Sequence, residues 1–282
     1  MVLFKTIAAL RSHLEHQRNK GRTIGFVPTM GALHNGHSSL IRHSLEQGHY
    51  TVVSIYVNPT QFNDPVDLEK YPRPLSADLE LLNQIGCNAV FLPGDSEIYP
   101  VEGVTTTEID LQHLGDSLEA AFRPGHFEGV LQVMHRLLDI VNPDFLFMGQ
   151  KDLQQLAVVR QLISEAGFTT RLVGLPIVRE ENGLARSSRN ERLSASERKK
   201  AGLIYKTLLE TSNASHKSSL TELKFSALER LEKAGLRPEY FEFVRSDNLQ
   251  LVHSREEYDG PITIVTAVWV GDVRLIDNME MA

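Results

Sequence analysis

The sequence predicts an α/β protein, a doubly wound parallel sheet followed by a smaller C-terminal α+β domain. Strand-like and helix-like segments alternate from about residue 22 to 175, the pattern of a mostly parallel sheet covered by helices on both faces. Three of those strands end in polar, glycine- or proline-containing turns. Past Leu175 the texture changes to two helices and then a strand-rich end. The expected domains are therefore residues 1–175 and 176–282.

Taken in order, Phe4, Ile7, Leu10 and Leu14 recur at helical spacing. The strands are Thr23–Val27, Thr51–Val57, Asn88–Leu92, Asp144–Met148 and Thr170–Leu175. Between them lie helices over His37–Gly48, Ser76–Ile85, Phe127–Val141 and Asp152–Gly167. The 3.6-residue period is clearest in Val130, Val133, Leu137 and Val141. The second domain joins near residues 176–186. Ser194 and Glu197 form a capping box for a helix to about Leu209. A polar link over Thr211–Ser219 precedes a helix to Lys233, closed by Gly235. Strands over Tyr240–Val244, Asn248–Val252, Ile262–Val270 and Val273–Asp277 complete the chain.

Composition narrows the functional classes. With 282 residues, 41% hydrophobic and 23% charged, the chain has room for one large and one smaller domain. A net charge of −7 argues against general nucleic-acid or anionic-membrane binding, although basic groups can still be concentrated at one ligand. The longest near-apolar stretch, Ile262–Val270, is too short to span a bilayer as a helix, and the first residues do not pattern as a signal peptide. Cys87 is the only cysteine, so no intrachain disulfide forms, which suits a reducing cytoplasm. Beside the apolar run Ala89–Leu92 it is expected to be a buried, inert thiol.

The chemistry is concentrated in Val27-Pro28-Thr29-Met30-Gly31-Ala32-Leu33-His34-Asn35-Gly36-His37. This run crosses from a strand into a helix, where backbone N–H groups and the helix dipole attract anions. Gly31 and Gly36 permit close backbone approach to a phosphate, and two imidazoles can stabilise developing charge. A surface cap is the plainer alternative. A metal site fares poorly without a cysteine cluster or a His-Glu-x-x-His helix.

Other segments join it at the carboxyl ends of the strands, where such sheets bind ligands. Asn58 and Gln61 offer amides for a small hydroxy acid. Gly149-Gln150-Lys151-Asp152 offers an ammonium for phosphate and a carboxylate for magnesium held mainly by phosphates and water; a plain helix start is the equal alternative. Pro176 to Asn190 holds Arg179, Arg186 and Arg189 with Ser187 and Ser188 around a glycine turn, groups suited to polyphosphate oxygens. Glu180, Glu181 and Glu191 nearly balance those charges, so a solvated linker competes. Arg123 and His126 precede a helix and can face the same rim.

Together, His-Asn-Gly-His, Asn-Pro-Thr-Gln-Phe, Arg-Pro-Gly-His-Phe, Gly-Gln-Lys-Asp and Ser-Ser-Arg-Asn resemble the pantoate–β-alanine ligases, a nucleotidylyltransferase-type family with a HIGH motif and a Rossmann-like domain. The resemblance runs in order through most of residues 1–193. It implies ATP-dependent activation of pantoate as pantoyl adenylate with release of pyrophosphate, then attack by β-alanine to give pantothenate and AMP. It implies that Met30, Gly31, Ala32, Leu33, His34, Asn35, Gly36 and His37 wrap the ATP phosphates, with His37 donating a proton. Gly149, Gln150, Lys151, Asp152 and Val178, with Arg186, Ser187, Ser188 and Arg189, would complete the ATP contacts, and the smaller domain would close over them. His34, His37, Lys151 and Arg189 are then the catalytic group, and Asp152 assists Mg2+ carried by ATP. Pantoate would meet Gln61, Gln155, Asn58, Arg123 and His126, with Gln61 bordering the β-alanine site. A cytoplasmic homodimer is also implied. Ser38, Gln132 and Leu153 depart from the usual pattern, Gln132 and Leu153 where substrate fit would feel it.

Two rivals stand beside this. Another nucleotidyltransferase would pass a nucleotide to a phosphate or alcohol without making an amide. A silent nucleotide sensor would not need His34, His37, Lys151 and Arg189 together.

Overall fold

The computed structural model describes residues 1–100 and 108–281, which form two compact units. The first comprises Met1–Gln150 and Val158–Pro176. The second comprises Lys151–Ala157 and the chain from Ile177 onward, so the start of one predicted helix belongs with it.

In the first unit the chain runs β1 (Val2–Phe4), α1 (Ile7–Asn19), β2 (Ile24–Thr29), α2 (Asn35–Glu46), β3 (Tyr50–Ile55), α3 (Pro65–Lys70), α4 (Leu75–Ile85) and β4 (Ala89–Phe91). Single turns α5 (Asp95–Ile98) and α6 (Glu119–Phe122) lead to α7 (His126–Val141), β5 (Phe145–Gly149), α8 (Leu153–Glu165) and β6 (Arg171–Leu175). The strands form one parallel sheet in the order β1-β4-β3-β2-β5-β6. Central β2 is apolar from Ile24 to Pro28 because it is covered on both sides. α2 and α4 bury Leu40, Ile41, Leu82 and Ile85 against Val27, Val53, Val90 and Phe147. Strand alternation turns Phe26, Val52 and Leu146 to the opposite face, and α1 packs on α7.

The sheet order reverses between β2 and β5. β2 pairs with β3 along its whole length, but with β5 only at Gly25 and Phe26. Beyond Phe26 the two strands part, and this is the switch point at which a doubly wound sheet opens a crevice past its carboxyl ends. The Met30–His37 loop leaves β2 there.

Two local expectations are corrected. Phe4 belongs to an edge strand paired with β4, not to the first helix; three residues are too few to show a period. Asn248–Val252 is a turn carrying one isolated bridge, Val244 to Leu251, and no strand. The Asn248 side chain accepts from the Gln250 N–H at 3.0 Å, and Leu249 takes φ +63°, which bends the chain.

The second unit adds α9 (Ala195–Asn213), α10 (Leu220–Lys233), β7 (Arg237–Arg245), β8 (Ile262–Val270) and β9 (Val273–Glu280). The three strands form an antiparallel sheet, β7-β8-β9. The helices pack on it through Ile204, Leu208, Leu223 and Leu231 against Phe241, Phe243, Ile264 and Val268. Ser194 and Ser219 each cap a helix reciprocally with the glutamate three residues on.

Candidate active site

In the first unit Gly31 turns the chain out of β2 with φ +79°, and Ala32 follows at φ +49°. Such a turn leaves backbone N–H groups pointing inward. Asp78 of α4 meets them: its carboxylate accepts from Ala32 N at 2.9 Å and Leu33 N at 2.7 Å. Asp78 is 3% exposed, and burial raises its carboxyl above the usual range while these two bonds act the other way.

His34 is the N-cap of α2. Its Nδ1 accepts from the Gly36 N–H at 3.1 Å, and His37 Nδ1 accepts from the His34 N–H at 3.3 Å. A ring nitrogen that accepts carries no hydrogen, so both neutral imidazoles are fixed as the Nε2–H tautomer. The rings lie 4.1 Å apart and tilted by 30°. Asn35, Gly36 and His37 form the first turn of α2, the end with the positive dipole.

The turn after β3 holds Asn58 and Gln61, both buried. Asn58 Nδ2 donates to Gln61 Oε1 at 3.2 Å and to the Gly129 carbonyl at 3.1 Å. Asn58 Oδ1 accepts from Tyr99 at 2.8 Å and Thr60 at 3.1 Å, so the amide is saturated by the protein. Gln61 is thereby oriented with Oε1 occupied and Nε2 donating, here to Met30 Sδ at 3.2 Å. That contact ties this turn to the His34–His37 loop. From α7, His126 Nδ1 donates to the Gln61 carbonyl at 2.8 Å, and Arg123 donates to His126 Nε2 at 3.0 Å. α7 comes this close because residue 129 is glycine; a Cβ there would collide with the Thr60 carbonyl. Gly149 ends β5, and Gln150 N donates to the Leu175 carbonyl at 2.9 Å.

In the second unit Lys151 and Asp152 precede α8, with Lys151 Nζ 3.5 Å from Asp152 Oδ1. Asn278 of β9 donates to the Lys151 carbonyl at 3.1 Å, and Gln155 stands in the first turn of the helix. Asp152 is half exposed, a setting suited to a cation held mostly by other ligands. Among the described residues no group of three or more His, Cys, Asp or Glu side chains is gathered to hold a metal.

Residues 178–186 form a small hairpin rather than an open linker. Arg186 N donates to the Val178 carbonyl at 2.9 Å and Glu180 N to the Leu184 carbonyl at 2.8 Å. Arg179 grips Asp277 with both terminal nitrogens, at 2.7 and 2.9 Å, and stacks on Tyr205. The hairpin leads into Ser187, Ser188 and Arg189, where Ser187 Oγ accepts from Arg189 N at 3.2 Å. Arg186 pairs with Glu180 at 2.8 Å, so its guanidinium is partly neutralised.

Residues 2–280 match the model of the pantoate-beta-alanine ligase family. This chain belongs to that family. A pantothenate synthetase of Bacteroides thetaiotaomicron is 46% identical over 281 residues, covering 99% of both chains. Among solved structures, pantothenate synthetase from Thermus thermophilus matches with a TM-score of 0.91 at 37% identity over 99% of both chains. The Francisella tularensis pantoate-beta-alanine ligase, solved with beta-gamma ATP and β-alanine, matches with a TM-score of 0.81 at 35% identity, over 99% of this chain and 97% of that one. The ligase family therefore embraces the small sheet and its helices as well as the motif-bearing first part of the chain.

Two acids were not singled out by sequence. Asp78 shares the buried stripe of α4 with Leu82 and Ile85, and a carboxylate at a core position was the available signal. Glu180 looked like one of several balancing charges, and nothing local distinguishes it from Glu181.

Proposed function

We propose that the chain makes pantothenate from pantoate, β-alanine and ATP in two steps. In the first, a pantoate carboxylate oxygen bonds to the α-phosphorus as the bond to pyrophosphate breaks, giving pantoyl adenylate. In the second, the β-alanine amine attacks the acyl carbon, AMP departs with the C–O electrons, and the amine loses a proton. The adenylate is needed because a free carboxylate has no acceptable leaving group.

The observation that carries this reading is the pair of imidazoles wired through Nδ1 to their own backbone, with Gln61 tied to the same loop. Two Nε2–H donors at a helix start suit the charge that grows on the phosphate oxygens, with His37 donating its Nε2–H as a hydrogen bond. Met30 to His37 would wrap the phosphates. Gln61 Nε2 would hold pantoate and border β-alanine, with Asn58, Arg123 and His126 supporting it from behind. Lys151 and Arg189, with Gly149, Gln150, Val178, Arg186, Ser187 and Ser188, would contact the nucleotide, and Gln155 pantoate.

Magnesium would arrive with ATP, and Asp152, whose carboxylate is accessible beside Lys151, would help hold it; the ion supplies charge neutralisation. The same reading makes the protein a cytoplasmic homodimer, which light scattering tests. No helix among the described residues is long and apolar enough to cross a membrane.

A coupled AMP-release assay that omits each substrate in turn tests the function. AMP should require all three substrates, and pyrophosphate–ATP exchange should require pantoate alone. Exchange that proceeds without pantoate would contradict the adenylate step.

A further inference from the structure

We propose that Glu180 is a positioning residue that fixes the Ser187-Ser188-Arg189 triplet for ATP, an inference resting on the assignment of that triplet to the nucleotide. One carboxylate oxygen binds the chain on both sides of the triplet. Glu180 Oε1 accepts from Arg186 Nη1 at 2.8 Å, just before it, and from Asn190 Nδ2 at 3.0 Å, just after it. The same carboxylate anchors both to α9, with Arg198 Nε donating to Oε2 and Nη2 to Oε1, each at 2.9 Å.

The exit is pinned more firmly still. Asn190 is fully buried, and its Nδ2 also donates to the Ala185 carbonyl at 3.0 Å, closing entry and exit of the segment on each other. Glu180 itself is held at the hairpin turn, where its carbonyl accepts from Gly183 N at 2.9 Å. Within the triplet, Ser187 and Ser188 are buried, which gives this segment little slack. Burial disfavours the charge on Glu180, but Arg198, Asn190 and Arg186 outweigh it and hold the carboxyl down at about 2. The anion is therefore present throughout the working pH range, and four charge-assisted bonds orient it.

Loss of this carboxylate should loosen the triplet without touching pantoate or the imidazoles. The test is steady-state kinetics of the full-length enzyme for Glu180→Gln, Glu180→Asp, Arg198→Gln and Arg189→Ala, with melting temperatures. Glu180→Gln should raise the KM for ATP by about 10-fold or more, while the KM for pantoate moves less than about 2-fold. Glu180→Asp keeps the charge one methylene further back and should give the same split at smaller amplitude, which keeps the idea testable if the amide variant does not fold. Arg198→Gln, which removes the anchor to α9 and a pairing with Glu191 at 3.3 Å but leaves Arg186 and Asn190 on Glu180, should have the smallest effect on KM.

Equal rises in both KM values, or an effect of Arg198→Gln as large as that of Glu180→Gln, would reduce Glu180 to a structural ion pair and overturn the proposal. The Arg189→Ala control separates the two layers. If it leaves the KM for ATP unchanged, the triplet does not meet the nucleotide and the underlying assignment fails, whatever Glu180 does.

Discussion

The two units build their candidate sites by opposite means. In the first, the reactive loop is held by neutral groups and one buried carboxylate: backbone N–H on Asp78, imidazole on backbone, Asn58 on Gln61. In the second, the segments assigned to phosphate are held by ion pairs, Arg179 with Asp277 and Glu180 with Arg186 and Arg198. Saturated amides fix direction, which a reaction centre needs. Paired guanidinium groups fix where charge sits, which a polyphosphate site needs. The His34–His37 loop and Gln61 should therefore weigh most on turnover and pantoate, and the Ser187–Arg189 segment on the affinity for ATP.

The largest expected break falls in the first unit. His37→Ala should slow pantoate-dependent pyrophosphate exchange by roughly 10²–10⁴-fold with the fold intact by circular dichroism. An unchanged rate would remove the imidazole from the chemistry. Next, Gln61→Ala should raise the KM for pantoate by about 10-fold or more while ATP is affected far less; equal losses for both would contradict its placement. Asp78→Ala strands two inward N–H groups and should cost about 2–4 kcal/mol by urea unfolding, with a slower exchange rate from the displaced loop. A loss within the error of the measurement would mean that those N–H groups find other acceptors.

The smallest effect is a pH dependence in the second unit. Glu180 titrates near 2 when folded against its ordinary 4.5, so its contribution is complete above about 4.5 and is lost as pH falls toward 2. The stability gap between the natural protein and Glu180→Gln should shrink over that window and stay constant above it. A gap that widens on acidification would reverse the sign of the interaction.

Much of this was legible in the sequence, because alternating periods and strand-end turns are local signals. Val130, Val133, Leu137 and Val141 announce α7, and the loop after β2 announces itself by its histidines and glycines. Asn58 and Gln61 were also visible, but not their relation. That Asn58 spends all its hydrogen bonds inside the protein depends on Tyr99 and Gly129, 41 and 71 residues away. The same holds for Asp78, which reaches Ala32 across 46 residues. Phe4 fits the following helical period although it lies in a strand, and Asn248–Val252 has a strand's apolar residues but a turn's backbone. Contacts made at long range leave no spacing to read.

The division of labour is tested most directly by single-turnover formation of pantoyl adenylate as a function of ATP concentration, for His37→Ala and Glu180→Gln side by side. Saturating ATP should restore the rate of the Glu180 variant to near that of the natural protein and leave the His37 variant slow. Rescue of His37→Ala by ATP, or failure to rescue Glu180→Gln, would show that the two units do not divide turnover and affinity in this way.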